Sequence, residues 1–276
     1  MDIITRSLSF NINPYVFNMK KLFLILSVLV FISCDKNKLD KKGFAVATPD
    51  ISNSSDNVDI NEIKKDSLLF ETRPSRILKT YHKDHRLTPI FKVNQRKDNK
   101  ERFIGSLSEH NTYYYDRENE WNGNYMPGLS AVYGYNFVNI SHFDHSLKSR
   151  NKLFESPVLI RTLYYPAFSK DTLNSLPISR NYYLVSVYDE DTNKDGFINL
   201  NDLRRLYYFD IHGQNKTLLI PANYSVMSSQ YDSGLDYMYI YAKKDENQNG
   251  KSDSKEKFDI FWIDLKNPLN RGVQYD

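Results

Sequence analysis

One cysteine, Cys34, stands in 276 residues, so no disulfide framework can staple this chain. Glycine is sparse at 10 residues, and tryptophan occurs twice. The longest apolar stretch, residues 22–32, falls well short of the roughly 20 residues a helix needs to cross a bilayer. Excess charge of one sign is missing too. Without residues 1–33 the chain loses Arg6, Lys20, Lys21 and Asp2, leaving 34 basic and 33 acidic side chains. A near-neutral chain has no electrostatic case for nucleic acid, so no such partner is expected. A Gly-x-Ser-x-Gly elbow, a glycine-rich phosphate loop and a His-Glu-x-x-His motif are all absent, which removes the commonest sequence signs of catalysis.

Aromatic residues are plentiful, with 21 Tyr and 16 Phe, and aromatic and β-branched runs favour strands. Strands are expected near 88–94, 102–107, 111–115, 131–140, 158–164, 182–188, 206–211, 217–220, 237–242 and 258–265. Asn122-Gly123, Pro166, Pro177, His212-Gly213 and Pro221 punctuate them as turns. The expected fold is all-β and mainly antiparallel, a propeller-like or sandwich domain over residues 81–276. Residues 34–80 are polar and read as a flexible tether, with a short helix at 60–70. An older, degenerate repeat is expected at 137–165, with 144–151 as its loop.

Two segments carry the strongest chemistry. Asp191-Thr-Asn193-Lys-Asp195-Gly196-Phe197-Ile198-Asn199-Leu-Asn-Asp202 has side-chain oxygens at positions 1, 3, 5, 9 and 12 and glycine at position 6. A hard cation wants six to eight oxygens, and a short loop delivers them only by wrapping around it. Phe197 would give its backbone carbonyl, leaving its side chain free to be apolar, and Ile198 would anchor the loop inward. The pattern returns 54 residues later as Asp245-Glu-Asn247-Gln-Asn249-Gly250-Lys251-Ser252-Asp253-Ser-Lys-Glu256, with Lys251 at the carbonyl position. Ser252 replaces the apolar anchor there, which tips the expected affinity toward the first loop. Both loops stand between strand-like runs, 182–188 and 206–211 for the first, 237–242 and 260–265 for the second. Calcium is the expected cofactor, sitting at the tip of a hairpin. A short helical turn is expected at 200–205.

The first loop resembles the EF-hand loop, and with Leu203 it resembles the dockerin variant more closely. The resemblance covers about thirteen residues, with a weaker match in the second loop, and it implies calcium ligation by the residues named. The strand-like flanks depart from both families.

Met19-Lys-Lys followed by residues 22–32, Ser33 and Cys34 has the basic, apolar and small-residue parts of a secretory signal. With its terminal cysteine the segment resembles bacterial lipoprotein signals, including those of the Bacteroidota. The resemblance implies cleavage before Cys34, lipid on Cys34 and attachment to the outer membrane. Residues 19–33 are then the signal peptide, and residues 1–18 a spurious extension ahead of the true start. The functional expectation is a lipid-anchored, calcium-stabilised protein with a binding or structural role, its protein or glycan partner unspecified. Two alternatives are a hydrolase of extracellular polymers and a dockerin-like adaptor. Glu118 and Glu120 beside Trp121 offer a carboxylate pair for the hydrolase, and Trp121, Tyr125 and Tyr113–Tyr115 offer stacking faces for a glycan. His142-Phe-Asp144-His145 is a weak zinc candidate, because residues three apart on a strand face opposite ways.

Overall fold

A strand that is almost wholly apolar or aromatic fits only where both faces of its sheet are covered. Tyr182–Tyr188 is such a strand, and it is buried along its whole length. The computed structural model describes residues 43–46, 70–95, 101–102, 107–110 and 126–276, all within one compact unit, Leu39–Asp276. The extension, the signal segment, Cys34, the helix expected before residue 70, the strand at 111–115 and the residues Glu118, Glu120, Trp121 and Tyr125 lie outside the described residues.

The fold is all-β, and every strand pair is antiparallel. Tyr182–Tyr188 lies inside a six-stranded central sheet. On one side of it run Arg205–Asp210 and Thr217–Leu218; on the other run Leu159–Pro166, Leu129–Gly134 and Leu107–His110. A second sheet orders Ser149–Lys152, Phe137–Asp144, His85–Lys92 and Thr72–Pro74, with Leu78–Lys79 also on His85–Lys92. A third is the meander Tyr224–Asp232, Tyr237–Lys244, Phe258–Asp264 and Arg271–Tyr275.

Alternation along the central strand feeds two cores. Tyr183, Val185 and Val187 pack with Leu87, Phe91, Phe137 and Ile140 of the second sheet. Tyr182 and Leu184 pack with Met238, Ile240, Phe261 and Ile263 of the third. The central sheet is therefore the middle of three layers.

Several expectations change. Residues 131–140 form not one strand but the end of Leu129–Gly134 and the start of Phe137–Asp144, which belong to different sheets. Asn136, at φ 59°, makes the corner in the left-handed region that asparagine tolerates. The tether at 34–80 is also too broad. Phe44–Ala45, Thr72–Pro74 and Leu78–Lys79 are strands, and Phe44 is buried among Val138, Leu159, Tyr188 and Ile198. The repeat expected at 137–165 divides otherwise: Phe137–Asp144 turns at Asp144 into Ser149–Lys152 in the second sheet, while Leu159–Pro166 lies in the central one. No helix forms at 200–205, where a turn leads into Arg205–Asp210.

One polar clamp ties the central layer to the third. The Arg180 guanidinium, almost wholly buried, donates to both Asp236 oxygens (2.9 and 2.7 Å), to the Leu265 carbonyl (2.7 Å) and, through Nε, to the Pro127 carbonyl (3.0 Å). Tyr231 donates to Asp236 (3.1 Å) and Tyr182 to the Leu265 carbonyl (2.8 Å). Removing one partner of a buried, bonded pair strands the other charge and costs about 3–5 kcal/mol. Arg180→Ala is expected to lower unfolding free energy by about that amount in a urea titration. An unchanged midpoint would refute the clamp.

Candidate metal centre

Each motif loop sits where the sequence places it, between two strands paired to each other. Tyr182–Tyr188 and Arg205–Asp210 pair from Tyr182↔Asp210 to Val187↔Arg205. Tyr237–Lys244 and Phe258–Asp264 pair from Tyr237↔Asp264 to Lys243↔Phe258. The hairpins correspond end to end, and the loops are their tips.

The two tips share one internal pattern of hydrogen bonds. In the first, the Asp195 and Gly196 amides donate to Asp191 Oδ1 (3.1 Å) and Oδ2 (2.8 Å). In the second, Asn249 and Gly250 do the same to Asp245 (3.1 and 2.9 Å). The position-5 amide also donates to the position-3 amide oxygen, Asp195 to Asn193 (2.9 Å) and Asn249 to Asn247 (3.0 Å). Position 7 donates to position 5, Phe197 to Asp195 (3.0 Å) and Lys251 to Asn249 (2.8 Å). Position 9 donates to the acidic group at position 12, Asn199 to Asp202 and Asp253 to Glu256, both at 2.8 Å. Positions 4 and 6 have positive φ in both: Lys194 58°, Gly196 86°, Gln248 55° and Gly250 72°. Two loops of different sequence thus share one backbone conformation and one hydrogen-bond pattern.

Side chains at positions 5 and 9 meet in each loop. Asn199 Nδ2 lies 3.3 Å from Asp195 Oδ2. Asn247 and Asn249 both donate to Asp253 Oδ2 (3.0 and 2.8 Å), and those bonds hold the Asp253 carboxyl below its ordinary range.

Position 12 separates the loops. Asp202 Oδ1 accepts from the Thr192 (2.9 Å) and Asn193 (3.3 Å) amides, and Oδ2 from Asn199. Burial pushes the Asp202 carboxyl up, against those backbone bonds, and the Asp191 charge adds to the rise. Glu256 spends only Oε2 on a protein donor; its Oε1 is buried without a hydrogen-bond partner. An orphaned buried carboxylate oxygen is costly, and a cation in the loop would satisfy it. The donor set of carboxylates, amide oxygens and carbonyls suits a hard divalent ion.

The tips also touch. Thr192 Oγ1 donates to the Gly250 carbonyl (2.6 Å) and accepts from the Leu203 amide (2.8 Å). A Cβ on Gly250 would fall 1.9 Å from the Thr192 carbonyl oxygen, whereas one on Gly196 meets nothing within 4 Å. A third segment closes on the first loop. Phe44 pairs with Ile198 and Ala45 with Phe197, and the Val46 amide donates to the Gly196 carbonyl (2.9 Å). Nothing in the loop motif signals either contact, because both partners lie far off in sequence.

The weak zinc candidate resolves differently. His142 and Asp144, two apart on one strand, do share a face; His145 turns away onto the Phe143 ring (4.7 Å). His85 and His212 join instead, and His85, Asp144 and His212 form the one group of possible metal-ligating side chains of this kind among the described residues. Compared with known proteins, the chain matches no family model, and no curated protein matches it.

The two glycines give a direct test of the tip contact. Gly196→Ala should cost about 1–2 kcal/mol, the penalty of a left-handed alanine. Gly250→Ala adds an overlap with the first loop's backbone and should cost clearly more in urea unfolding. Equal losses would mean the loops do not constrain each other.

Proposed function

We propose that this chain is a calcium-binding lipoprotein, anchored to the outer membrane through lipid on Cys34, in which calcium stabilises two strand–loop–strand units. Its role is binding or structural rather than catalytic. The observation that carries the reading is the shared wrap of the two loops, with the unsatisfied Glu256 oxygen inside one of them. Asp191, Asn193, Asp195, Asn199 and Asp202, with the Phe197 carbonyl, would hold one ion. Asp245, Asn247, Asn249, Asp253 and Glu256, with the Lys251 carbonyl, would hold the other. Calcium here would neutralise clustered carboxylates and lock each tip.

Glu256 reverses the affinity order that the Ile198 anchor suggests. Glutamate is one methylene longer than aspartate and can grip the ion with both oxygens. Asp202 is already committed to three backbone amides. The second loop is therefore the tighter site in this reading.

The legs of both hairpins are paired with each other from end to tip, so calcium at the tips would stabilise rather than rearrange. A ligand that binds only the folded state adds about 2.7 kcal/mol at a hundredfold excess over its Kd. Calorimetry on the full chain should find two calcium sites. Asp245→Ala should remove the tighter one and Asp191→Ala the weaker. Chelator should lower the melting temperature by several degrees with little change in sheet content below the transition. A chain that takes up no calcium ends this reading.

Lipidation is tested separately. The native N-terminal peptide should carry a diacylglyceryl group on Cys34, and Cys34→Ser should move the protein from the membrane fraction to the soluble one. Membrane attachment that survives Cys34→Ser would refute the anchor.

A further inference from the structure

Four metal-competent side chains from two layers meet at one end of the first core, away from the calcium loops. His85 begins the strand His85–Lys92 and pairs across to Asp144, and Leu87 pairs to His142. His142 and Asp144 lie two apart, so period-two alternation turns both toward His85. His212 arrives from the central sheet on the turn after Arg205–Asp210. Its backbone amide donates to Asp210 Oδ1 (3.0 Å), and the Gly213 amide closes the turn on the Asp210 carbonyl (2.9 Å). Gly213 permits the approach: a Cβ there would stand 2.8 Å from Leu153 and 3.2 Å from His142.

The donor atoms face one another. His142 Nε2 lies 3.2 Å from His85 Nδ1. Asp144 Oδ2 lies 3.3 Å from His212 Nδ1 and 3.7 Å from His85 Nδ1. Tetrahedral zinc, with bonds of about 2.0–2.2 Å, sets its ligand atoms roughly 3.3–3.5 Å apart on that geometry. The two Asp144 separations lie close to that value, and His85, Asp144 and His212 offer donor atoms all within 4.8 Å of one another.

The surrounding bonds hold the donors ready. Asn151 Nδ2 donates to the Gly213 carbonyl (2.9 Å), which turns Asn151 Oδ1 toward His142 Nδ1 (3.0 Å). That makes Nδ1 the protonated nitrogen of His142 and leaves the Nε2 lone pair pointing at His85. Asp144 Oδ1 is fixed by the Ser146 amide (2.9 Å), the Ser146 hydroxyl (2.6 Å) and the Leu147 amide (3.1 Å), so Oδ2 alone faces the histidines. Outer partners of this kind set the tautomer and orientation of metal ligands. Burial lowers the pKa of His85 and of His142, and the Ser146 and Leu147 bonds hold the Asp144 carboxyl well below its usual range. Neutral imidazoles beside an ionised carboxylate are the protonation states a metal requires.

A cation at the centre of His85, Asp144 and His212 would replace the Asp144 contacts to both rings, while His85 and His142 stay side by side. His82 is not a member, because its Nε2 is bonded to the Arg180 carbonyl (2.9 Å). His85, His142 and Asp144 are buried and His212 is about half exposed, which leaves a path for an ion from solvent.

We propose that His85, His212 and Asp144 form a binding site for a zinc-like divalent metal that ties the second sheet to the central one, with His142 as the neighbour that orients His85. Two imidazole nitrogens and one carboxylate oxygen, with the fourth position open to water, select a transition metal of borderline softness over calcium. This site stands independently of the calcium loops and is chemically distinct from them. In a chain with no disulfide it would join layers whose ligands come from residues 85, 144 and 212, closing long loops.

The test uses the full chain, stripped with chelator and kept in millimolar calcium. Titration with zinc chloride should give one site per chain and raise the melting temperature. Cobalt(II) chloride should produce the visible absorption of a tetrahedral centre, and zinc should bleach it. His212→Ala alters an exposed turn and leaves both cores intact, so it should fold, yet weaken zinc binding at least tenfold and erase the cobalt band. Asn151→Ala, which releases the Gly213 carbonyl beside His212, should weaken zinc binding, though by less than His212→Ala. Asp191→Ala and Asp245→Ala should leave zinc binding unchanged. Absence of stoichiometric zinc in calcium-containing buffer would overturn the proposal, as would zinc affinity indifferent to His212→Ala, or displacement of zinc by calcium.

Discussion

The strand Tyr182–Tyr188 imposes the condition that the other layers meet. Its side chains alternate between two apolar faces, and a sheet built on it is stable only when something covers each one. The second sheet covers one face and the third covers the other. Because both coverings are stacked sheets, the side chains are spent on layer-to-layer packing, and the hairpin ends are left to do chemistry. The Arg180–Asp236 pair belongs to the same constraint. It lies just before the buried strand and fixes the third layer to it through a turn and a carbonyl, where apolar packing alone would leave the layers free to slide.

Aspartate recurs at those ends with one job. Asp144, Asp210, Asp232 and Asp264 each close a strand and accept amide hydrogens two or more residues on. Such turns let a short polar side chain stand in for a backbone carbonyl. Asp210 and Asp264 stand 54 residues apart, the spacing of the calcium-type loops, so the repeat extends beyond the loops to the next turn. Asp144 is the same device in the second sheet with one oxygen left over, and that oxygen faces the histidines. A structural turn residue and a metal ligand can thus be one carboxylate used twice.

Legibility in the sequence followed the range of the interaction. The two loops were readable because all their oxygens lie within twelve residues. Tyr182–Tyr188 was readable because enclosure on both sides demands a continuous apolar run. Tyr224–Asp232 was not foreseen, since a bulged edge strand rich in serine carries no such signature: its register shifts between Val226 and Ser228, and the Arg204 guanidinium donates to the Val226 and Met227 carbonyls at that bulge. Arg271–Tyr275, an edge strand largely exposed, escaped for the same reason. The histidine group could be found only by pairing strands. His85 and His142 meet because His85 is registered with Asp144, and His212 joins from another sheet. Period-two spacing of His142 and Asp144 is the one local clue.

Phe44–Ala45 changes how the domain would feel a pull. Only two residue pairs and the Val46–Gly196 hydrogen bond join this segment to Phe197–Ile198, and the Lys92 ammonium adds a bond to the Gly43 carbonyl (2.9 Å). Tension arriving along the chain from residue 43 is therefore shared between the hairpin tip and the Lys92 end of the second sheet. An ion in that loop, as proposed, would draw its carboxylates inward and stiffen the tip against the pull. The grip of the fold on its own N-terminal lead would then be set by a solute concentration, as a buckle is set by its pin.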